Sequence, residues 1–266
     1  MITLKRLSPK IVSQIPNPPF IYSVDGISST YNNNGEGSKI CVIGTGVPVH
    51  SDFKNIVNIE IFDDTAKSPD DKFGYATMIG GIISANKKES LIGIAPRTSL
   101  YFVKAFSDYG VASQQSLVSS VLWSMIKDMD LIILCGEKGE MSKPLIEAID
   151  KTTSNGIGVL VSAGKYDEKK DLKVYDSCGT FCISHKISTK NKIEFDKKDN
   201  SFVVTVPKGN YYTTYSENKY VKPNPTIYSL GIVGGILSLI ISDNKRKNNK
   251  FTSKSLYRQL LSSTRN

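Results

Sequence analysis

The chain has 266 residues, 39% of them hydrophobic and 22% charged, with 20 Gly, 11 Pro and four Cys. Length and apolar content are enough for a full core, which excludes a disordered, collagen-like or disulfide-packed miniature protein. Lys and Arg number 34 against 25 Asp and Glu, and the resulting charge of +9 attracts acidic surfaces weakly and identifies no partner.

At the start, Lys5 and Arg6 are followed by no continuous apolar run and no small-residue cleavage site. No secretory signal is read, and a cytoplasmic setting is expected. Residues 1–38 are rich in Pro, Ser, Asn and Gly, including Pro16-Asn-Pro-Pro19 and Asn32-Asn-Asn-Gly35. They are expected to wrap the surface of a single domain, 39–266, rather than form a core element. From Lys39 onward, short apolar runs alternate with helical patterns, the form of βαβ units feeding a mostly parallel sheet. Strands are expected over 40–43, 100–105, 131–135, 158–162, 181–184 and 202–206, several apolar throughout as strands covered on both faces should be. Helices are expected over 75–85, 113–127, 142–154, 228–242 and 253–262. The longest apolar stretch, 227–241, falls short of the roughly 18 to 20 residues of a spanning helix and reads as a core helix, so no transmembrane segment is expected.

Two basic polar stretches, 186–200 and 243–250, read as a solvated hairpin or interhelix loop. No stacking aromatics are interleaved with their charges, so no specific nucleic-acid surface is expected; the net charge and the 243–250 loop are all that favour one. Cys41, Cys135, Cys178 and Cys182 are unevenly spaced and read as reduced thiols acting as small hydrophobes. Cys178, Cys182 and His185 also offer metal or thiol chemistry, but Cys182 and His185 point to opposite faces of an extended strand and no fourth ligand is evident.

Four stretches carry a more specific signal. They are Cys41-Val-Ile-Gly-Thr-Gly-Val-Pro-Val-His-Ser-Asp-Phe53; Gly74-Tyr-Ala-Thr-Met-Ile-Gly-Gly-Ile-Ile83, with Leu91-Ile-Gly-Ile-Ala-Pro96 after it; Gly156-Ile-Gly-Val-Leu-Val-Ser-Ala-Gly-Lys165; and Lys219-Tyr-Val-Lys-Pro-Asn-Pro-Thr-Ile-Tyr-Ser-Leu-Gly-Ile-Val-Gly-Gly235. In this order and spacing they resemble the signature blocks of the subtilases, the subtilisin-like serine peptidases. The resemblance implies a three-layer α/β fold, with helices on both faces of a mostly parallel sheet of about seven strands.

Peptide hydrolysis by a subtilase needs a Ser nucleophile, a His base, an Asp that orients the imidazole, and an oxyanion donor, commonly Asn. Carried onto this chain, the resemblance places Gly44 at the Asp position, Tyr75 at the His position, Lys165 at the oxyanion Asn and Ile227 at the Ser, or Thr226 if the register slips by one. No catalytic position is intact in this reading. Loss of the nucleophile or the base alone removes on the order of 10⁶ in turnover in a subtilase. Where the family has an edge strand that pairs with extended peptide, this chain has Leu134-Cys-Gly-Glu-Lys138, so Cys135, Gly136 and Glu137 are candidate cleft-edge binding residues. His50 matches a loop His of the family and reads as structural.

The expectation is therefore a catalytically inactive pseudo-peptidase that binds a protein or peptide partner through the former active-site face. The alternative is a hydrolase or peptidase with a rerouted site drawn from Thr226, Tyr75, Lys165 and Cys135. No cofactor is read from the residues. The resemblance implies calcium in many members, with no ligand set assignable here.

Overall fold

The computed structural model describes residues 1–5, 10–16, 20–22, 24, 27–136, 140–165, 180–189, 193–198, 201–207, 209 and 211–264. Short strands β1 (Ile2–Thr3), β2 (Ile11–Val12) and β3 (Phe20–Ile21) and the one-turn helix α1 (Ile27–Thr30) lead into β4 (Lys39–Gly44) and β5 (Ile56–Ile61). Next come α2 (Tyr75–Ser84), β6 (Asn86–Lys87), β7 (Leu91–Ile92), β8 (Ser99–Lys104), β9 (Val111–Ala112), α3 (Gln114–Ile126), β10 (Leu131–Leu134), α4 (Lys143–Ser154) and β11 (Gly158–Lys165). The remainder holds β12 (Thr180–Ser188), β13 (Glu194–Lys198), β14 (Ser201–Pro207), β15 (Thr213–Tyr215), β16 (Lys219–Val221), α5 (Pro225–Arg246) and α6 (Ser253–Ser263).

The main sheet has eight strands in the order β13-β14-β12-β11-β10-β4-β8-β5. Every neighbouring pair is parallel except β13–β14, which is an antiparallel hairpin at one edge. The central strands are apolar and buried, as a sheet covered on both faces requires. The two layers can be read from β4. The Ser124 hydroxyl of α3 donates to Cys41 Sγ at 3.2 Å, while Gly44, an odd number of residues further on, faces Ala76 of α2. Alternation along a strand puts those contacts on opposite faces. Helix α5 packs on α2 so closely that a Cβ at Gly231 would lie 2.7 Å from Ile82 Cβ. Glycine is required there by proximity, despite its cost to a helix.

Several elements differ from the sequence reading. Helix α5 begins at Pro225 and runs to Arg246, taking in part of the stretch expected to be a loop. Its start follows a local rule: the Asn224 side chain accepts from the Ile227 N–H, and Pro225 stands at the first helical position. At 22 residues the helix is long and apolar enough to cross a bilayer, yet it is buried nearly throughout inside this fold. The stretch 186–200, by contrast, agrees with the hairpin reading: it takes in the end of β12 and all of β13, the first strand of the β13–β14 hairpin.

The first segment does more than wrap the surface. Its three strands join small sheets with β9, β16 and β7, and Ile2, Leu4, Ile15, Tyr22, Val24 and Ile27 are buried in the core cluster. Alternating apolar residues, not long runs, anchor this segment.

Candidate functional site

In a parallel sheet, ligands bind at the carboxyl ends of the strands. The positions singled out in the sequence gather at that end. β4 finishes at Gly44, β10 runs into Cys135 and Gly136, β11 finishes at Lys165, and α2 and α5 begin at Tyr75 and Pro225.

Gly44 is closely packed, and a larger residue there would have to push its neighbours aside. A Cβ there would lie 3.1 Å from Ala76 Cβ and 3.1 Å from Cys135 Sγ, so α2 and the buried Cys135 thiol close over the end of β4. Tyr75 is 2% exposed, with its ring centroid 5.3 Å from that of Phe73. Its hydroxyl donates to the Lys5 carbonyl at 3.0 Å and accepts from Asn224 Nδ2 at 3.3 Å. Asn224 Oδ1 in turn accepts from the Ile227 N–H at 2.8 Å, which fixes the orientation of the amide. The residue of α5 that meets Tyr75 is thus its N-cap, Asn224. The sequence reading did not single it out, although Asn-Pro before an apolar helix is a recognisable capping signal.

Ile227 is fully buried, and Thr226 is 8% exposed. Lys165 is described in its backbone, which pairs with His185 of β12; its side chain lies outside the described residues, as do Glu137 and Cys178. Gly136 faces the first segment: a Cβ there would lie 3.3 Å from Ile2 Cγ2.

Neither histidine forms a described hydrogen bond to Tyr75 or Thr226. His185 lies on β12, with its backbone between Lys165 of β11 and Val204 of β14. His50 is held in a loop of its own. Its Nδ1 accepts from the Asp52 N–H at 3.2 Å, so the ring proton sits on Nε2, 3.1 Å from the Lys219 carbonyl it donates to. Burial lowers the imidazole pKa below its ordinary value; the Asp52 carboxylate and the Lys219 carbonyl oppose that shift, and Lys87 adds to it. The buried Asp52 also accepts from Tyr220 Oη at 2.9 Å and Ser90 Oγ at 3.1 Å.

Buried polar clamps hold the elements around this site. Asp71 accepts from the Gly74 N–H at 2.6 Å through Oδ1, and from the Thr77 N–H and Oγ1, both at 2.7 Å, through Oδ2. These contacts satisfy orphan donors at the start of α2. Gly74 turns into that helix at φ 93°, a left-handed conformation, and a Cβ there would strike the Tyr215 ring at 2.2 Å. Lys104 is fully buried, yet its ammonium donates to the carbonyls of Thr45 at 2.8 Å and Asp70 at 2.9 Å and to Asp108 Oδ1 at 2.8 Å. Against the cost of partial burial, Lys104 and then Lys72 hold the Asp108 carboxyl below its ordinary pKa.

Among the described residues no three His, Cys, Asp or Glu side chains converge on one point. Cys178, one of the three groups of the metal alternative, lies outside the described residues, and no ligand set for calcium is assigned. What the site offers is a phenol whose proton is directed to a backbone carbonyl, an amide locked by a helix N–H, and a buried thiol.

The Subtilase family profile matches residues 35–261. Subtilisin DY of Bacillus licheniformis is 27% identical over 216 residues, covering 78% of this chain and 78% of that protein. Subtilisin Savinase of Lederbergia lenta is 25% identical over 211 residues, covering 79% of this chain and 78% of its own length. A thermostable alkaline protease of Halalkalibacterium halodurans is 24% identical over 209 residues, which cover 78% of this chain but 58% of that longer protein. With a seven-stranded parallel core, helices on both faces and a family match over most of its length, the chain belongs to the subtilase family.

Proposed function

We propose that this subtilase is catalytically inactive and acts by binding a protein or peptide at the carboxyl end of its sheet. One observation carries the reading. The Tyr75 hydroxyl, at the position where the family resemblance places the base, gives its proton to the Lys5 carbonyl and takes one from Asn224. A phenol whose proton is already given to a backbone carbonyl is not set to abstract one from a nucleophile. Gly44, at the orienting-carboxylate position, is packed against Ala76 and Cys135, so no acid fits behind Tyr75 without displacing them.

Hydrolysis by the relatives named protease rests on an activated nucleophile, and here Thr226 would have to serve without an imidazole hydrogen-bonded to it among the described contacts. A fluorophosphonate probe for activated hydroxyls and an iodoacetamide probe for activated thiols test this directly on the full chain. Neither is expected to label Thr226 or Cys135 in the folded protein. Stoichiometric fluorophosphonate labelling of Thr226 that is lost on heat denaturation, or iodoacetamide labelling of Cys135 that is faster in the folded than in the denatured chain, would overturn the reading and support a rerouted hydrolase.

A further inference from the structure

One edge of the main sheet is open. Strand β5 pairs with β8 alone, and the Phe62 N–H just beyond it donates inward to the Lys104 carbonyl at 2.9 Å. Backbone groups alternate in direction along a strand, so Ile59 and Ile61 turn theirs outward. Their N–H groups donate instead to side chains beside them, Ile59 to Asn58 Oδ1 at 2.8 Å and Ile61 to Glu60 Oε1 at 3.4 Å. The register with β8 shifts at Val57, which leaves that residue out of the inner ladder as well. Val57, Ile59 and Ile61 are 54%, 38% and 39% exposed. An unpaired run of backbone and an apolar stripe thus coincide, the combination that receives another strand.

The flanking charges decide which strand. Lys54 precedes β5 and Asp64 follows it; both are exposed, and neither has an ion-pair partner among the described residues. Parallel addition of a second β5 would set Lys54 beside Lys54 and Asp64 beside Asp64. Antiparallel addition about a two-fold axis at Ile59 sets each Lys54 toward Asp64 of the other copy, Val57 opposite Ile61, and Ile59 opposite itself. All three exposed apolar side chains then meet a partner, Asn58 offers its amide to Glu60, and the outward N–H groups exchange side-chain acceptors for carbonyls. Moving the axis one residue on, to Glu60, would put Glu60 against Glu60, and like charges directly opposite disfavour that register. We infer that β5 is an isologous dimer surface whose partner is the β5 edge of a second copy of this chain, joining two eight-stranded sheets into one. This goes beyond the binding reading, because β5 contributes no residue to the carboxyl-end site.

Sedimentation equilibrium of the full chain over a concentration series tests the inference. The apparent mass is expected to rise from 29.3 kDa toward twice that value and to stop there, because a two-fold contact closes on itself. A mass that stays at the monomer's up to the limit of solubility, or one that climbs past the dimer, would overturn it. Ile59→Lys alters an exposed side chain, so the variant should melt with the parent and remain monomeric; an undiminished dimer would contradict the assignment to β5.

The charge pair tests the register independently of Ile59. Lys54→Asp alone, or Asp64→Lys alone, places two like-charge pairs across the axis and should weaken dimerisation about ten-fold. The two substitutions together should restore it. Weakening by each single variant without recovery in the double variant would overturn the antiparallel pairing, and so would single variants that dimerise as the parent does.

Discussion

Charged side chains meet at the amino ends of strands β4 and β10, whereas the strands themselves run at their carboxyl ends into uncharged residues, Gly44 and Cys135. At their amino ends, buried Asp130 accepts from the Lys39 N–H at 2.7 Å and from Lys245 Nζ at 2.6 Å, tying the end of α5 to the sheet. Burial raises the Asp130 pKa, while Lys245 and then Lys39 pull against it. At their carboxyl ends the same strands finish on Gly44 and Cys135, a glycine against a thiol. Charge persists where it joins elements, in Asp130, Asp71 and Lys104, and is absent where the resemblance places a reacting carboxylate. Polar groups that tie elements together are thus in place at both ends of the sheet, while the position at the end of β4 holds a glycine.

The contrast can be broken at several points. The largest effect is expected at Lys104. Lys104→Met leaves two buried carbonyls and Asp108 without their ammonium, a loss of about 3 to 5 kcal/mol in a denaturant titration. An effect within experimental error would mean that the clamp does not hold the site's frame. Gly44→Asp is next. It forces a carboxylate between Ala76 and Cys135, so a cost of about 3 kcal/mol and no gain in peptide turnover are expected. A stable variant would show that the end of β4 is open after all.

Tyr75→Phe removes one hydroxyl bridging Lys5 and Asn224, and about 1 kcal/mol should be lost with those two hydrogen bonds. The smallest effect is a pH dependence from His50. Its folded pKa lies below the ordinary 6.5, so the unfolded chain takes the proton first as pH falls. Its contribution to stability is complete above 6.5 and declines as pH drops below it. A shallow fall in the melting temperature is expected over that interval, and His50→Asn should flatten it.

Much of this was legible in the sequence because burial on both faces writes itself as unbroken apolar runs. Ile40–Ile43 within β4, and β8, β10 and β14, were found that way. Strand β5 was not: Ile56-Val-Asn-Ile-Glu-Ile61 alternates, and it lies at the sheet edge with Val57, Ile59 and Ile61 exposed. The start of α5 is set by the Asn224-Pro225 cap and not by its apolar run, so apolar residues alone begin the helix three residues late, at Tyr228. The positions of the site were named from motif spacing, but the partners of Tyr75 could not be, since Lys5 and Asn224 are distant in sequence and meet it only through the fold. Likewise Ile2 and Leu4, two apolar residues in a polar segment, gain meaning only once β9 lies beside them.

The most direct test of a site that binds without cutting is to incubate the full chain with a diverse library of extended peptides and to analyse the retained and released fractions by mass spectrometry. The expected result is a retained set of peptides and no new termini above those in buffer. New termini that accumulate with the parent chain and vanish with Thr226→Val or Tyr75→Phe would contradict it.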